Sequence, residues 1–224
     1  MTLRSIPKQE RPREKLLSHG PSFLTNTELL AILISTGFAG RSAVDIARDL
    51  LSNAGSLQML FHMTKEEFVK FSGVSTVTYC RLQATSELFK RQLQESLERD
   101  DPLANPDITR RFLISKLRHL AHEVFAILYL DNAHRLIKFD ILFEGTINSA
   151  NVYPRRVLQE SIRHNAAAVI LAHNHPSGVA EPSQADKNIT DTLSKALSLI
   201  DIRVLDHFVI GQCEALSFAE KGLM

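Results

Sequence analysis

The chain has 224 residues, 44% hydrophobic and 23% charged, which excludes a disordered chain and suits one large domain or two small ones. The 26 Lys and Arg stand against 25 Asp and Glu, with 13 basic and 12 acidic residues up to Asp101 and 13 of each beyond it; neither half has the basic excess of a strong non-specific nucleic-acid binder. No run approaches the ~20 apolar residues of a membrane span, the N-terminus has no apolar signal-peptide core, and Cys80 and Cys213 make no disulfide framework, so a cytoplasmic protein without a membrane partner is expected.

The first residues lean positive, with Arg4, Lys8, Arg11, Arg13 and Lys15 against Glu10 and Glu14; a solvated arm or a phosphate contact both fit. Thr25-Asn-Thr-Glu28 is a capping box before the apolar Leu29–Leu33 and predicts a helix. Gly37 and Gly40 break the chain, and Ser42–Leu51 follows as a second helix with Val44, Ala47, Leu50 and Leu51 on one side. Thr64-Lys-Glu-Glu67 is another capping box, opening a short helix that Gly73 ends. A longer helix to about Leu97 completes an all-helical domain over residues 1–100. The polar stretch Glu98–Pro106 holds Pro102 and Pro106, which disfavour helix before them; residues 101–106 are therefore the expected linker.

Strands then alternate with helices over 107–224. Val124–Leu130 and Arg135–Phe143 read as a hairpin joined by the turn residues Asp131–His134. Helices are expected at Tyr153–Asn165 and Pro182–Leu199, and strands at Ala167–Ala172 and Ile202–Ile210. The alternation argues for an α/β domain of two or three layers.

The chemistry concentrates in His173–Asp186. In a strand, residues i and i+2 share a face, so His173 and His175 set two imidazoles side by side just past the carboxyl end of a strand. Of nine histidines they alone form an i, i+2 pair. A loop restricted by Pro176, Gly178 and Pro182 leads to a helix start, with Ser183 as N-cap and Asp186 at the third helical position. Two imidazoles and a carboxylate make a three-ligand set for a divalent ion, zinc above others, with the fourth position open as in catalytic sites; water on such an ion ionises near pH 7. The plainer alternative is a capping box beside two polar strand-end histidines. His122-Glu123 is not the start of an HExxH motif, because residue 126 is Ala, and no C-x-x-C supports a zinc deaminase.

The segment resembles the H-x-H-x7-S-x2-D signature of the JAMM/MPN metallopeptidase superfamily. With Arg11-Pro-Arg-Glu-Lys-Leu-Leu17, Glu28–Leu33, Phe143-Glu-Gly-Thr146, His173-Asn-His-Pro-Ser-Gly178 and Asp206-His207, the chain from Arg11 to Leu223 resembles the RadC family. The resemblance implies a helical N-terminal domain with a helix-hairpin-helix-like element, followed by a JAMM/MPN-like (cytidine-deaminase-like) α/β domain with a mixed sheet. It implies Zn2+ on His173, His175 and Asp186, and a catalytic glutamate upstream on a strand. Glu123, before the apolar Val124–Leu130, fits that context best, with Glu144 as competitor. It further implies that Ser183 donates to the oxyanion of a tetrahedral intermediate. Asp206-His207 is either a support for a ligand imidazole or a structural pair, and Arg155-Arg156 reads as surface charge.

A helix-hairpin-helix turn is Gly-x-Gly, so that backbone N–H groups approach a phosphate. Here the turn is Gly73-Val-Ser75, and Ser75 departs from that pattern. The leading expectation is a zinc metallohydrolase cleaving an amide or isopeptide bond of a protein or peptide. The alternative is a DNA-associated accessory protein that binds nucleic acid through residues 1–100 and has a non-catalytic metal. Phosphodiester cleavage is weaker, since two-metal nucleases need a second carboxylate cluster.

Overall fold

The computed structural model describes residues 7–100, 106–145, 152–212 and 214–224. Of the residues singled out above, Arg4, 101–105 of the expected linker, Thr146 and Cys213 lie outside the described residues. The chain divides into two compact units, Met1–Phe89 and Lys90–Met224.

In the first unit the helices begin where local chemistry starts them. α1 (Pro12–His19) opens on a proline, whose missing N–H leaves no donor unpaired. α2 (Asn26–Ile34) and α3 (Ala43–Ala54) open on reciprocal capping boxes, Thr25 with Glu28 and Ser42 with Asp45. α4 (Leu57–His62) is capped by Ser56, and α5 (Lys65–Phe68) by Thr64 with Glu67. With the start of α6 (Thr76–Arg99), these helices bury Leu30, Ile34, Ile46, Leu50, Leu60, Phe68 and Leu82 in one core. α4 has no counterpart in the sequence reading.

The division between units falls inside α6, whose Leu93 and Leu97 belong to a core of the second unit. Between the linker and Val124 the sequence analysis predicts no element. The structure has α7 (Pro106–Leu117) there: Pro106 opens a helix as its first residue, and Phe112, Leu113 and Leu117 are its buried side. After α7 come β1 (Val124–Leu130), β2 (Leu136–Glu144), α8 (Pro154–Arg163), β3 (Ala168–Asn174), α9 (Gln184–Ser198), β4 (Arg203–Ile210) and β5 (Ala215–Ser217).

The sheet order is β2-β1-β3-β4-β5. Among the described strands only β3 and β4 pair in parallel, so the sheet is mixed, as expected. β1 and β3 are buried along their whole length, which is why both read as unbroken apolar runs. Their alternating side chains feed two cores. Val124, Ala126, Leu128, Ala168, Ile170 and Ala172 pack with α7. Phe125, Ile127, Tyr129, Val169 and Leu171 pack with Val157 of α8 and Leu193 and Leu197 of α9. The second unit is thus three layers, helix, sheet, helix.

Two contacts shape the carboxyl end of β3. Asn174 faces the α7 layer, where its Oδ1 accepts from Val124 N (2.8 Å) and its Nδ2 donates to the carbonyls of Leu120 (3.3 Å) and His122 (3.1 Å). One buried amide therefore holds the approach to β1. The loop after His175 is pressed against the β4–β5 turn, with Gln212 N donating to Gly178 O at 2.8 Å. Gly178 is at φ +87°, and a Cβ on Gly211 would stand 2.6 Å from Gly178 O, so neither position takes a side chain without moving the loop.

Leu113, wholly buried, should cost ~2–5 kcal/mol when changed to Ala, whereas Leu199→Ala, at a position 85% exposed, should stay within ~0.5 kcal/mol; chemical denaturation of the two variants measures both. Asn174→Ala removes every partner that side chain supplies and should cost ~1–3 kcal/mol, with faster amide exchange at Val124 than in the parent protein.

Candidate metal centre

β3 runs through Asn174, two residues beyond the apolar run that predicts it. His173 therefore lies in the strand and His175 just past it, both on the α9 side, with Asn174 between them on the other. Phe125, paired with His173 across the ladder, stacks on its ring with centroids 6.4 Å apart and planes 10° apart. The loop returns at the start of α9, where Asp186 is the third helical residue, near the positive end of the helix dipole.

His173 Nε2 and His175 Nε2 are 3.0 Å apart. Asp186 Oδ1 stands 3.3 Å from the first and Oδ2 3.7 Å from the second. Tetrahedral ligands about 2.0–2.1 Å from zinc stand about 3.3–3.4 Å from one another, a spacing that these separations bracket. Among the described residues this is the one group of three or more ligating side chains that could hold a metal ion. His173 is 2% exposed, whereas His175 and Asp186 are 19% and 14% exposed, so the cluster opens to solvent on the His175 and Asp186 side.

The outer nitrogens show what the inner ones carry. His175 Nδ1 lies 2.8 Å from the carbonyl of Val179; a carbonyl only accepts, so Nδ1 bears the proton and Nε2 of the neutral ring presents a lone pair. His173 Nδ1 lies 2.8 Å from Nε2 of His207, a wholly buried residue, and His207 Nδ1 lies 2.6 Å from Thr190 Oγ1. Burial pushes ionisation of His207 well below the ordinary imidazole range. Burial opposes the charge on Asp186, but the His173 ring when it is protonated, together with the hydroxyl and amide of Ser183, favours it more, holding the carboxyl well below its usual range. Inward lone pairs beside a carboxylate repel one another unless a cation, metal ion or proton, sits among them. The donor set fits a divalent ion.

The other sequence candidates divide. Ser183 caps α9: its Oγ donates to Asp186 Oδ2 (2.7 Å) and accepts from Asp186 N (3.1 Å), so one capacity serves the carboxylate and the other the helix start. Glu123 precedes β1, and its carbonyl accepts from Gly145 N at 2.8 Å. The β1–β3 ladder ends at Phe125–His173, so Glu123 stands just outside it, two residues along the chain from the Phe125 that pairs with His173. Glu144 pairs instead with Val124, and directly paired residues share a face. It therefore lies on the α7 side, exposed, with Oε2 3.9 Å from His122 Nε2. Asp206 and His207 separate as strand alternation requires. Asp206 accepts from Ser217 Oγ, Ala219 N and His207 N, while His207 faces His173. Burial raises the Asp206 carboxyl against those hydrogen bonds. Arg156 is paired with Glu160 at 3.0 Å.

In the first unit, Gly73 takes φ +92°. Ser75 has no positive φ, and its Oγ accepts from Thr78 N at 3.4 Å at the start of α6; it acts as a helix cap rather than as a second turn glycine. The sequence analysis misses Thr190 and the Asn174 amide. Thr190 sits four residues after Asp186 on one helix face, a spacing that could have flagged it. The Val179 carbonyl leaves no sequence signal.

Residues 103–223 match the RadC-like JAB domain, and residues 3–80 match the UPF0758 N-terminal family. A UPF0758 protein of Nitrosococcus oceani is 52% identical over 224 residues, all of both chains. UPF0758 proteins of Aeromonas hydrophila and Vibrio parahaemolyticus are 54% and 52% identical over 222 residues, 99% of each chain. No helix among the described residues is long and apolar enough to cross a membrane. A helical N-terminal region joined to a JAB-type α/β domain that carries a His-His-Asp cluster agrees with these matches, and the chain belongs to the RadC family.

Proposed function

We propose that the second unit is a zinc-dependent hydrolase of the JAMM type, cleaving an amide or isopeptide bond in a protein or peptide. The observation that carries this reading is the convergence of His173 Nε2, His175 Nε2 and the Asp186 carboxylate, with the Val179 carbonyl turning the His175 lone pair inward. Three protein ligands are the number that leaves zinc an open position. When bound, zinc supplies Lewis acidity, polarising a carbonyl and letting water ionise near neutral pH.

Glu123 takes the proton from the attacking water and returns it to the leaving nitrogen. Two observations support Glu123 over Glu144: Glu123 directly precedes the strand whose Phe125 pairs with His173, and Glu144 pairs with Val124 on the opposite face. Asn174 steadies the backbone beside Glu123 through Val124 N. Phe125, stacked on His173, keeps water from the inner side of the cluster. Substrate approaches from the open side, at His175 and Asp186. Ser183 orients the Asp186 carboxylate, and the same hydroxyl is the donor available to a developing oxyanion once it turns from Asp186.

Full-length protein purified with zinc in the medium should carry close to one zinc per chain, and a chelator should lower its melting temperature. Elemental analysis of His175→Ala should find that zinc lost; unchanged stoichiometry refutes the ligand set. Against a pool of synthetic peptide amides read by mass spectrometry, Glu123→Gln should keep the metal and lose ~10²–10⁴-fold in turnover. Glu144→Gln should keep both, and the reverse pattern would move the proton transfer to Glu144.

A further inference from the structure

We propose that Thr190 and His207 form a hydrogen-bonded relay that sets which nitrogen of His173 carries its proton, making His207 a positioning residue for the metal site. The inference rests on the metal reading above and adds how one ligand is kept ready.

The relay runs through buried side chains. His173 Nδ1 meets His207 Nε2 at 2.8 Å, His207 Nδ1 meets Thr190 Oγ1 at 2.6 Å, and Thr190 Oγ1 meets the backbone carbonyl of Asp186 at 2.5 Å. It starts on one ligand residue and ends on the backbone of another. Thr190 is 4% exposed, His173 2% and His207 0%, so solvent cannot readily substitute for a missing partner. Phe125 lies edge-on to the His207 ring with centroids 5.6 Å apart, and Phe218 lies 4.7 Å away on centroids; together they restrict the ring's plane.

The direction of the relay follows from its last link. A backbone carbonyl only accepts, so the threonine hydroxyl donates to Asp186 O. Having given its single proton there, Oγ1 accepts from His207, and Nδ1 of His207 carries the hydrogen. Nε2 of neutral His207 is then an acceptor, and His173 must donate to it from Nδ1. That leaves Nε2 of His173 with its lone pair toward His175 and Asp186. The reversed relay would put a proton on Nε2, where the ion belongs, and leave the Thr190 and Asp186 oxygens in contact with no hydrogen between them. Ligand imidazoles are usually steered by a carboxylate or carbonyl at the outer nitrogen. Here a neutral imidazole does this, and it adds no negative charge beside the ligand set.

The test uses full-length protein, with two readouts. Long-range proton–nitrogen correlations of the metal-free chain at alkaline pH, where the imidazoles are neutral, report the His173 tautomer. Competition with a chromophoric chelator reports zinc affinity. In the parent protein His173 should carry its proton on Nδ1. Thr190→Val keeps the shape and removes the hydroxyl; it should shift His173 toward the Nε2-protonated form and weaken zinc ~10–100-fold. Thr190→Ser should restore both readouts. His207→Phe should weaken zinc similarly, and His207→Gln, which keeps an acceptor, less. Parent-like affinity with Nδ1 still protonated in Thr190→Val and His207→Phe overturns the relay. Weakened zinc without a tautomer change also overturns it, by assigning the loss to packing. Should His207→Phe fail to fold, the Thr190 pair decides. A parent protein that binds no zinc overturns the metal reading, while its His173 tautomer still judges the relay.

Discussion

Two imidazole nitrogens stand 3.0 Å apart with a carboxylate 3.3–3.7 Å away, and donors this close repel one another unless a metal ion or proton lies among them. Most of what is particular to the second unit serves that crowding. β3 brings the two histidines to one face, the dipole and cap of α9 present Asp186 as an anion, and outer hydrogen bonds turn both rings. The loop between them is pinned by Gln212 N on Gly178 O, at a place where Gly211 admits no side chain. A cation at the centre converts the repulsion into attraction, and this is the physical basis for reading the cluster as a metal centre.

The alternation of β3 divides the work between the faces of the sheet. His173 and His175 project toward α9, while Asn174 between them projects toward α7 and ties down the chain that carries Glu123. The next strand repeats the division: Asp206 holds Ser217 and Ala219 on one side, and His207 supports His173 on the other. Each strand thus places one residue for the centre and its neighbour for the scaffold, so a one-residue slip of register would exchange the two roles.

Features written in local spacing were legible in the sequence. The boxes Thr25–Glu28, Thr64–Glu67 and Ser183–Asp186 announce helix starts within four residues, and the apolar runs of β1 and β3 announce buried strands. The His-x-His pair with Asp186 was readable because strand and helix periodicity place all three. The sequence reading has no helix at α7 because it uses Pro106 as a helix stop, whereas a proline in first position starts one. The face on which Glu144 lies is not readable from sequence, because the β1–β2 ladder shifts register between Phe125 and Ala126. The contact of His207 with His173 spans 34 residues and a parallel crossover, which no local pattern encodes. The family resemblance reached the His-His-Asp cluster for the same reason the spacing did, since both rest on one short segment.

The most direct test of the metal centre is anomalous diffraction at the zinc edge from crystals of the full-length chain grown with zinc. The account predicts a single anomalous peak about 2.0–2.2 Å from His173 Nε2, His175 Nε2 and one Asp186 oxygen. No peak at that position, or a peak that leaves Asp186 uncoordinated, would contradict it.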